Sequence, residues 1–199
     1  MSLTKKIKRY LRKKLTKRRY RHTLRVERTA RKLAKLHLEF ATRHEKNEFF
    51  KKVSLAALLH DVEKCRDQGE LWRCLKKDPH VDHNSLKDYK TLWHAFCGAS
   101  TAYHRFDIKD SDILNALRYH TTGRAGMSDL EKIIYLADYI EPGRDFPGVK
   151  KVRKQARKGI DAGCLAAMNH TLELFEKKGT TPAPYTLEAK EDLMSHGSF

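Results

Sequence analysis

Twice in this chain the series i, i+3, i+4, i+7 runs apolar, apolar, apolar, histidine: Val53, Ala56, Ala57, His60, and again Ile113, Ala116, Leu117, His120. Residues at that spacing share one face of an α-helix, so each series predicts a helix whose buried stripe ends in an imidazole. Variations of the pattern recur. From about Thr16 to Ala41 the apolar positions Leu24, Ala30, Leu33, Ala34 and Leu38 predict a long helix with no Gly or Pro in it, and His22 lies within. Leu92, Phe96, Ala99 and Tyr103 mark another, with His94 one or two positions around from the stripe. Ser128 and Glu131 form the S-x-x-E capping box of a helix that buries Leu130, Ile133, Ile134 and Ala137 and carries Asp138 beside Ile134.

The remaining punctuation is also helical. Ser111 is the expected N-cap of the Ile113 stripe, and Thr121-Thr122-Gly123 is its stop. Pro142 and Gly143 end the Asp138 helix, residues 144–148 make a tight connector, and helices follow near Lys150 to Lys158 and Asp161 to Lys177. Residues 179–185, with Pro182 and Pro184, are expected to be extended before a last short helix. Residues 67–84 read as a short helix and a loop, with no role for His80 or His83. No stretch alternates for long enough to predict a strand. The expected fold is all-α, a single helical bundle.

Composition agrees with one globular unit: 199 residues, 40% hydrophobic and 34% charged, with ten Gly and five Pro. Residues 1–17 read as a basic N-terminal extension or helix and 18–195 as the domain. No apolar run is long enough to span a bilayer, and the basic N-terminus lacks the apolar stretch of a secretory signal, so the cytoplasm is the expected location. Cys65, Cys74, Cys97 and Cys164 are far apart with no C-x-x-C pair, the pattern of reduced thiols. The net charge of +17 asks for an acidic partner: a polyphosphate, a nucleic acid or an anionic membrane surface. Much of it sits between Lys5 and Lys35. That stretch reads equally as an interfacial or RNA-contacting helix and as a core-packing helix with a solvated basic back.

A single histidine at the end of an apolar stripe ordinarily hydrogen-bonds to a carbonyl. Here four helices each bring a His or Asp onto or beside an inward face, and His60 and Asp61 are adjacent. Burying so many polar groups without a common purpose is costly, and a shared cation removes the cost. Imidazoles with carboxylates suit iron, manganese, zinc or a similar divalent metal, and an incompletely filled shell leaves room for water and a substrate oxygen. Those are the parts of a hydrolase.

The His60-Asp61 doublet in LLHDVEK resembles the HD superfamily of metal-dependent phosphohydrolases. RRYRHTLRV around His22, AALLHDVEK around His60, the run from Leu114 to Val149 containing YHTTG and LADYIEPGR, and TLEAKEDL near the C-terminus are more specific. They look like the YqeK-type symmetrical bis(5'-nucleosyl)-tetraphosphatases, over most of the chain from about Arg18 onward. The resemblance implies an all-helical, iron-dependent enzyme that splits diadenosine tetraphosphate and related dinucleoside polyphosphates into two ADP. It implies His22, His60, Asp61 and Asp138 as metal ligands and His94 and His120 beside the bound phosphate, as ligands of a second metal or as substrate contacts. It further implies Lys64, Thr121 and Arg144 as phosphate contacts and Gly179, Thr181 and Pro184 as part of the nucleoside grip, with Asp61, Lys64, His94 and His120 as the catalytic set. Two positions depart from the pattern: Ala183 stands before Pro184 where the family often has an aromatic residue or His, and Glu63 replaces a small residue. The expected partners are the dinucleotide substrate, a second copy in a homodimer, and RNA at the basic N-terminus. The rival readings are an HD phosphohydrolase of another nucleotide and a basic RNA-binding module with a structural metal.

Overall fold

A computed structural model describes residues 2–79 and 81–196; His80 lies outside them. Among the described residues there are ten α-helices, one short 3-10 turn at 90–92, and no strand. The chain is all-α, as the stripes predict.

Helix α1 (Leu3–Lys14) buries Ile7 and Leu11 completely. Both belong to the main core, together with Val26, Ala30 and Leu33 of α2 (Lys17–His37) and Val53, Ala56 and Ala57 of α3 (Arg43–Leu59). The segment 1–17, set apart in the sequence as a basic extension, therefore carries a helix that packs into the same core as the rest. Each such buried aliphatic side chain contributes about 1.5–3 kcal/mol, so α1 is held by its apolar stripe while its cations face outward.

Helix α2 starts where the sequence predicts, with the Thr16 side chain accepting from the Arg19 amide, but it stops at His37 and not near Ala41. The cause is a second cap. Thr42 Oγ1 accepts from the Glu45 amide at 3.1 Å, and the Glu45 carboxylate accepts from the Ala41 amide at 3.1 Å, so residues 38–42 are turned to start α3. His37 fixes the end of α2 through a 2.8 Å contact between its Nε2 and the Ala156 carbonyl oxygen.

Helix α4 (Gln68–Lys77) and the loop after it match the expected short helix and loop, and α5 (Trp93–Phe106) carries His94. Helix α6 (Ser111–Arg118) is capped one residue earlier than expected: the Asp110 carboxylate, not Ser111, accepts from the amides of Asp112 and Ile113. Asp110 is also held by Lys52 at 2.8 Å, which makes the longer acidic side chain the better cap here. The Ser128–Glu131 capping box forms at the start of α7 (Asp129–Ile140). Helices α8 (Val149–Ala156), α9 (Ile160–Lys177) and α10 (Pro184–His196) complete the bundle, with Pro184 at the first helical position, where its missing N–H costs nothing.

Helix α2 packs on α3 and α7, and α6 on α5 and α7, so the ends carrying His22, His60, His94, His120 and Asp138 converge. The stop after α6 needs its glycine. Gly123 has φ +70°, and a Cβ there would lie 2.7 Å from Met168 Cε.

Candidate metal centre

Three histidines reach the centre in one manner. His60, following the last turn of α3, donates Nδ1–H to the Ala57 carbonyl at 2.7 Å, and His120, just beyond α6, donates Nδ1–H to the Leu117 carbonyl at 2.8 Å. His22, within α2, places Nδ1 at 3.0 Å from a Glu141 carboxylate oxygen. With each Nδ1 proton committed, each Nε2 presents a lone pair.

Those lone pairs meet. His60 Nε2 and His22 Nε2 lie 3.4 Å apart, and His94 Nε2 and His120 Nε2 lie 3.3 Å apart. Asp61 stands between the pairs. Its Oδ2 is 3.6 Å from His22 Nε2 and 3.4 Å from His60 Nε2, while its Oδ1 is 3.3 Å from His94 Nε2 and 3.6 Å from His120 Nε2. Asp138 joins the first set, with Oδ1 at 3.0 Å from His22 Nε2. The residues fall into two candidate cation-binding groups, His22-His60-Asp61 and Asp61-His94-His120, that share Asp61. Opposed nitrogen lone pairs beside buried carboxylates repel one another unless a positive charge sits among them. The donor set therefore fits divalent cations.

The electrostatics follow from this crowding. Burial alone would raise the Asp61 carboxyl, but His60 and the close approach of His120 and His94 hold it well below the usual range. Asp138 is likewise held low against its burial, by His22, His60 and Arg144. Burial lowers the His60 imidazole, yet Asp61 and Asp138 outweigh it and the net shift is upward. His94 goes the other way: burial, with His120 and Lys64 nearby, pushes it down to about 4, so it is neutral at neutral pH.

Basic side chains stand around the centre. Lys64 Nζ is 3.2 Å from His94 Nε2, and its ammonium is lowered chiefly by burial. Arg144 reaches back to α7: its Nη2 lies 2.5 Å from Asp138 Oδ1, and its Nε donates to the Asp138 carbonyl at 2.9 Å. Thr121 has a buried hydroxyl with no hydrogen-bond partner among the described residues. Gly179, at φ +61°, closes α9 by donating its amide to the Glu176 carbonyl, and Thr181 and Pro184 are exposed. Ala183 is buried among Trp93, Phe96 and Leu71 in a second apolar cluster.

Three residues escape a reading by stripes alone. Arg19 Nη1 lies 2.7 Å from Asp61 Oδ2. Glu141 is 1% exposed and accepts from the Arg25 guanidinium and, at 2.6 Å, from the Gly143 amide, as well as holding His22. Burial would raise its carboxyl, but Arg25, His22 and the Gly143 amide bring it down to about 2. Gly143 leaves room for Arg25, whose guanidinium occupies the space a Cβ would fill. The available signal was spacing: Arg19 and Arg25 sit three residues either side of His22, one turn along the same face.

Comparison with known proteins follows the same lines. The profile of the HD domain family matches residues 19–143. The symmetrical bis(5'-nucleosyl)-tetraphosphatase of Halalkalibacterium halodurans is 42% identical over 90% of this chain and 91% of its own length. The protein of the same name from Bacillus subtilis is 38% identical over 93% of this chain and 94% of its own. A crystal structure from Clostridium acetobutylicum, described as a predicted HD superfamily hydrolase involved in NAD metabolism, superimposes with a TM-score of 0.86 at 36% identity and covers 96% of both chains.

Proposed function

The chain belongs to the HD domain family, and from that premise we propose that it is a symmetrical bis(5'-nucleosyl)-tetraphosphatase, hydrolysing the central anhydride of diadenosine tetraphosphate to give two ADP. The observation that carries this reading is the sharing of Asp61 between two histidine pairs, with Lys64 on one side and Arg144 on the other.

Asp61 offering one oxygen to each group supports two cations, one held by His22, His60, Asp61 and Asp138 and the other by Asp61, His94 and His120. The mixed imidazole and carboxylate donors suit first-row transition metals, and iron is the proposed ion, with manganese the alternative. Bound there, a divalent cation supplies a hydroxide-strength nucleophile at neutral pH and a Lewis acid for the phosphoryl oxygen.

The protein's own side chains bind and orient. Arg144 and Lys64 flank the centre from opposite groups, so a phosphate chain lying across it meets a cation on each side, as cleavage at the middle anhydride requires. Arg144 and Arg19 each already hold a carboxylate, and a phosphate oxygen offers them the same fork of acceptors. His94, neutral at neutral pH, is suited to hold a cation and not to protonate the leaving ADP. ADP is a good enough leaving group to go without a protein acid. Thr121, next to His120, is proposed to contact phosphate, and Gly179, Thr181 and Pro184 are proposed to hold one nucleoside. Four free thiols fit a reducing, cytoplasmic setting.

The test is anaerobic reconstitution with ferrous iron or manganese, incubation with diadenosine tetraphosphate, and chromatography of the nucleotides beside an Asp61→Asn control. ADP as sole product, lost in the control, is expected. ATP with AMP would overturn the position of cleavage, and no turnover with either metal would overturn the substrate.

A further inference from the structure

Of the +17 net charge, nearly all is carried by one end of the sequence. Residues 1–35 contain 16 Lys and Arg against Glu27 alone, a balance of +15, while the other 164 residues balance to +2. Four of these cations are engaged inside the fold: Lys8 with Glu27, Lys14 with Glu63, Arg19 with Asp61 and Arg25 with Glu141. Others line the outer surface in two stripes. On α1, Lys5, Lys6, Arg9, Arg12 and Lys13 are exposed on the face opposite the buried Ile7 and Leu11. On α2, Arg18, Arg21, Arg28, Lys32 and Lys35 are exposed at spacings of three, four and seven, which is a single helical stripe. The two helices are joined by the Lys8–Glu27 pair and by Arg12 donating to the Tyr20 hydroxyl at 3.2 Å.

We propose that this surface docks the phosphate backbone of double-helical RNA. A surface with this density of cations and no interspersed carboxylate needs a polyanion, and ten cations are more than a dinucleoside tetraphosphate can occupy. A membrane fits poorly. The apolar face of α1 is spent on the protein core, and of the exposed large apolar side chains (Leu36, Tyr103, Leu174, Leu187 and Met194) none lies on α1 and only Leu36 lies on α2, in its last turn. An interfacial helix needs that apolar face free.

Single strands fit poorly as well. Tyr10 is covered by the Arg105 guanidinium at 4.4 Å and by Phe106, which removes a ring on which an unpaired base would stack. Helices α1 and α2 are packed against the body by their apolar faces, so they present a cationic flank and not a projecting helix that would enter a groove of duplex DNA. The wide, shallow minor groove of A-form RNA presents its phosphates to a surface of that kind. At 1.5 Å per residue α1 and α2 run about 18 and 32 Å, long enough to follow several phosphates each.

The test uses the metal-loaded full chain, with fluorescence anisotropy on a labelled RNA hairpin of about 16 base pairs over a range of salt. The quadruple variant Lys5→Gln, Lys6→Gln, Arg9→Gln, Lys13→Gln alters exposed positions away from the metal centre. Saturable RNA binding is expected, with a salt slope that falls by about 3 in the variant, while hydrolysis of the dinucleotide stays within about twofold. An equal affinity for the DNA duplex, undiminished binding by the variant, or no RNA binding at about 0.1 M salt would overturn the proposal. So would pelleting with phosphatidylserine vesicles in place of RNA binding, or a fall in the variant's kcat/KM without any RNA binding, which would make the surface a substrate funnel. Because anisotropy does not depend on turnover, a failed hydrolase reading shows separately, as a wild-type protein that binds RNA and cleaves nothing.

Discussion

A carboxylate offered to two sets of imidazoles cannot be replaced by an amide without loss on both sides. Asp61→Asn removes one negative charge shared by His22, His60, His94 and His120, and activity should fall by at least about a thousandfold while metal content, read by elemental analysis, falls too. Glu141 acts at one remove. Glu141→Gln keeps the shape but weakens the hold on His22 Nδ1, and metal affinity should drop by about 10–100-fold, with activity recovered at saturating metal. The same residue sets an acid limit. Its carboxyl is at about 2 in the folded chain against an ordinary 4.5, so the stability it adds is fully present above 4.5 and is lost as the pH falls from there towards 2. In metal-free protein, chemical denaturation of wild type and Glu141→Gln should therefore converge over that interval. These residues were unequally legible. His22, His60, Asp61, His94, His120 and Asp138 stand on or beside periodic stripes, so their inward direction could be read. Arg19, Arg25 and Glu141 make their contacts across 42, 116 and 119 positions of sequence, and no local pattern records such a distance.

Helix ends follow from short capping signals that must be weighed against propensity. The Ser128 box was read correctly because an apolar stripe follows it at once. The Thr42 cap is hidden in the sequence because the residues before it also look helical and predict one long helix in its place. Thr42→Ala should cost about 1 kcal/mol, measured as a shift in the denaturation midpoint. Gly123→Ala is more severe, since φ +70° is combined with the approach to Met168, and it should cost about 1–3 kcal/mol while disturbing His120 three residues before. For helix α1 the sequence leaves an interfacial and a core-packing reading equally open, because Ile7 and Leu11 are only two apolar positions among many cations, and the fold takes the second. Leu11→Ala should lower the stability of the whole domain by about 2–5 kcal/mol, in a single cooperative transition.

The centre and the core are one object at the scale of the molecule, since the helices that meet in the interior are those that carry the clustered His and Asp side chains. A divalent cation at a hundred times its dissociation constant should stabilise the fold by about 2.7 kcal/mol, seen as a rise in Tm that a chelator reverses. The thiols report the same compactness. Cys65 is exposed, while Cys97 and Cys164 are buried with their thiols pushed up by their surroundings, so a disulfide reagent should titrate Cys65 first and reach the buried pair only on unfolding. Two of the three imidazoles whose outer nitrogen is fixed, His60 and His120, lean on main-chain oxygens, those of Ala57 and Leu117, and only His22 leans on a side chain. Mutational drift can therefore delete one of these three supports and must unwind a helix to delete the others. Side-chain substitution would expose the role of Glu141 and leave those of Ala57 and Leu117 unseen, because what these two lend to the chemistry is a carbonyl that every amino acid carries, whatever Leu117 also adds to the core.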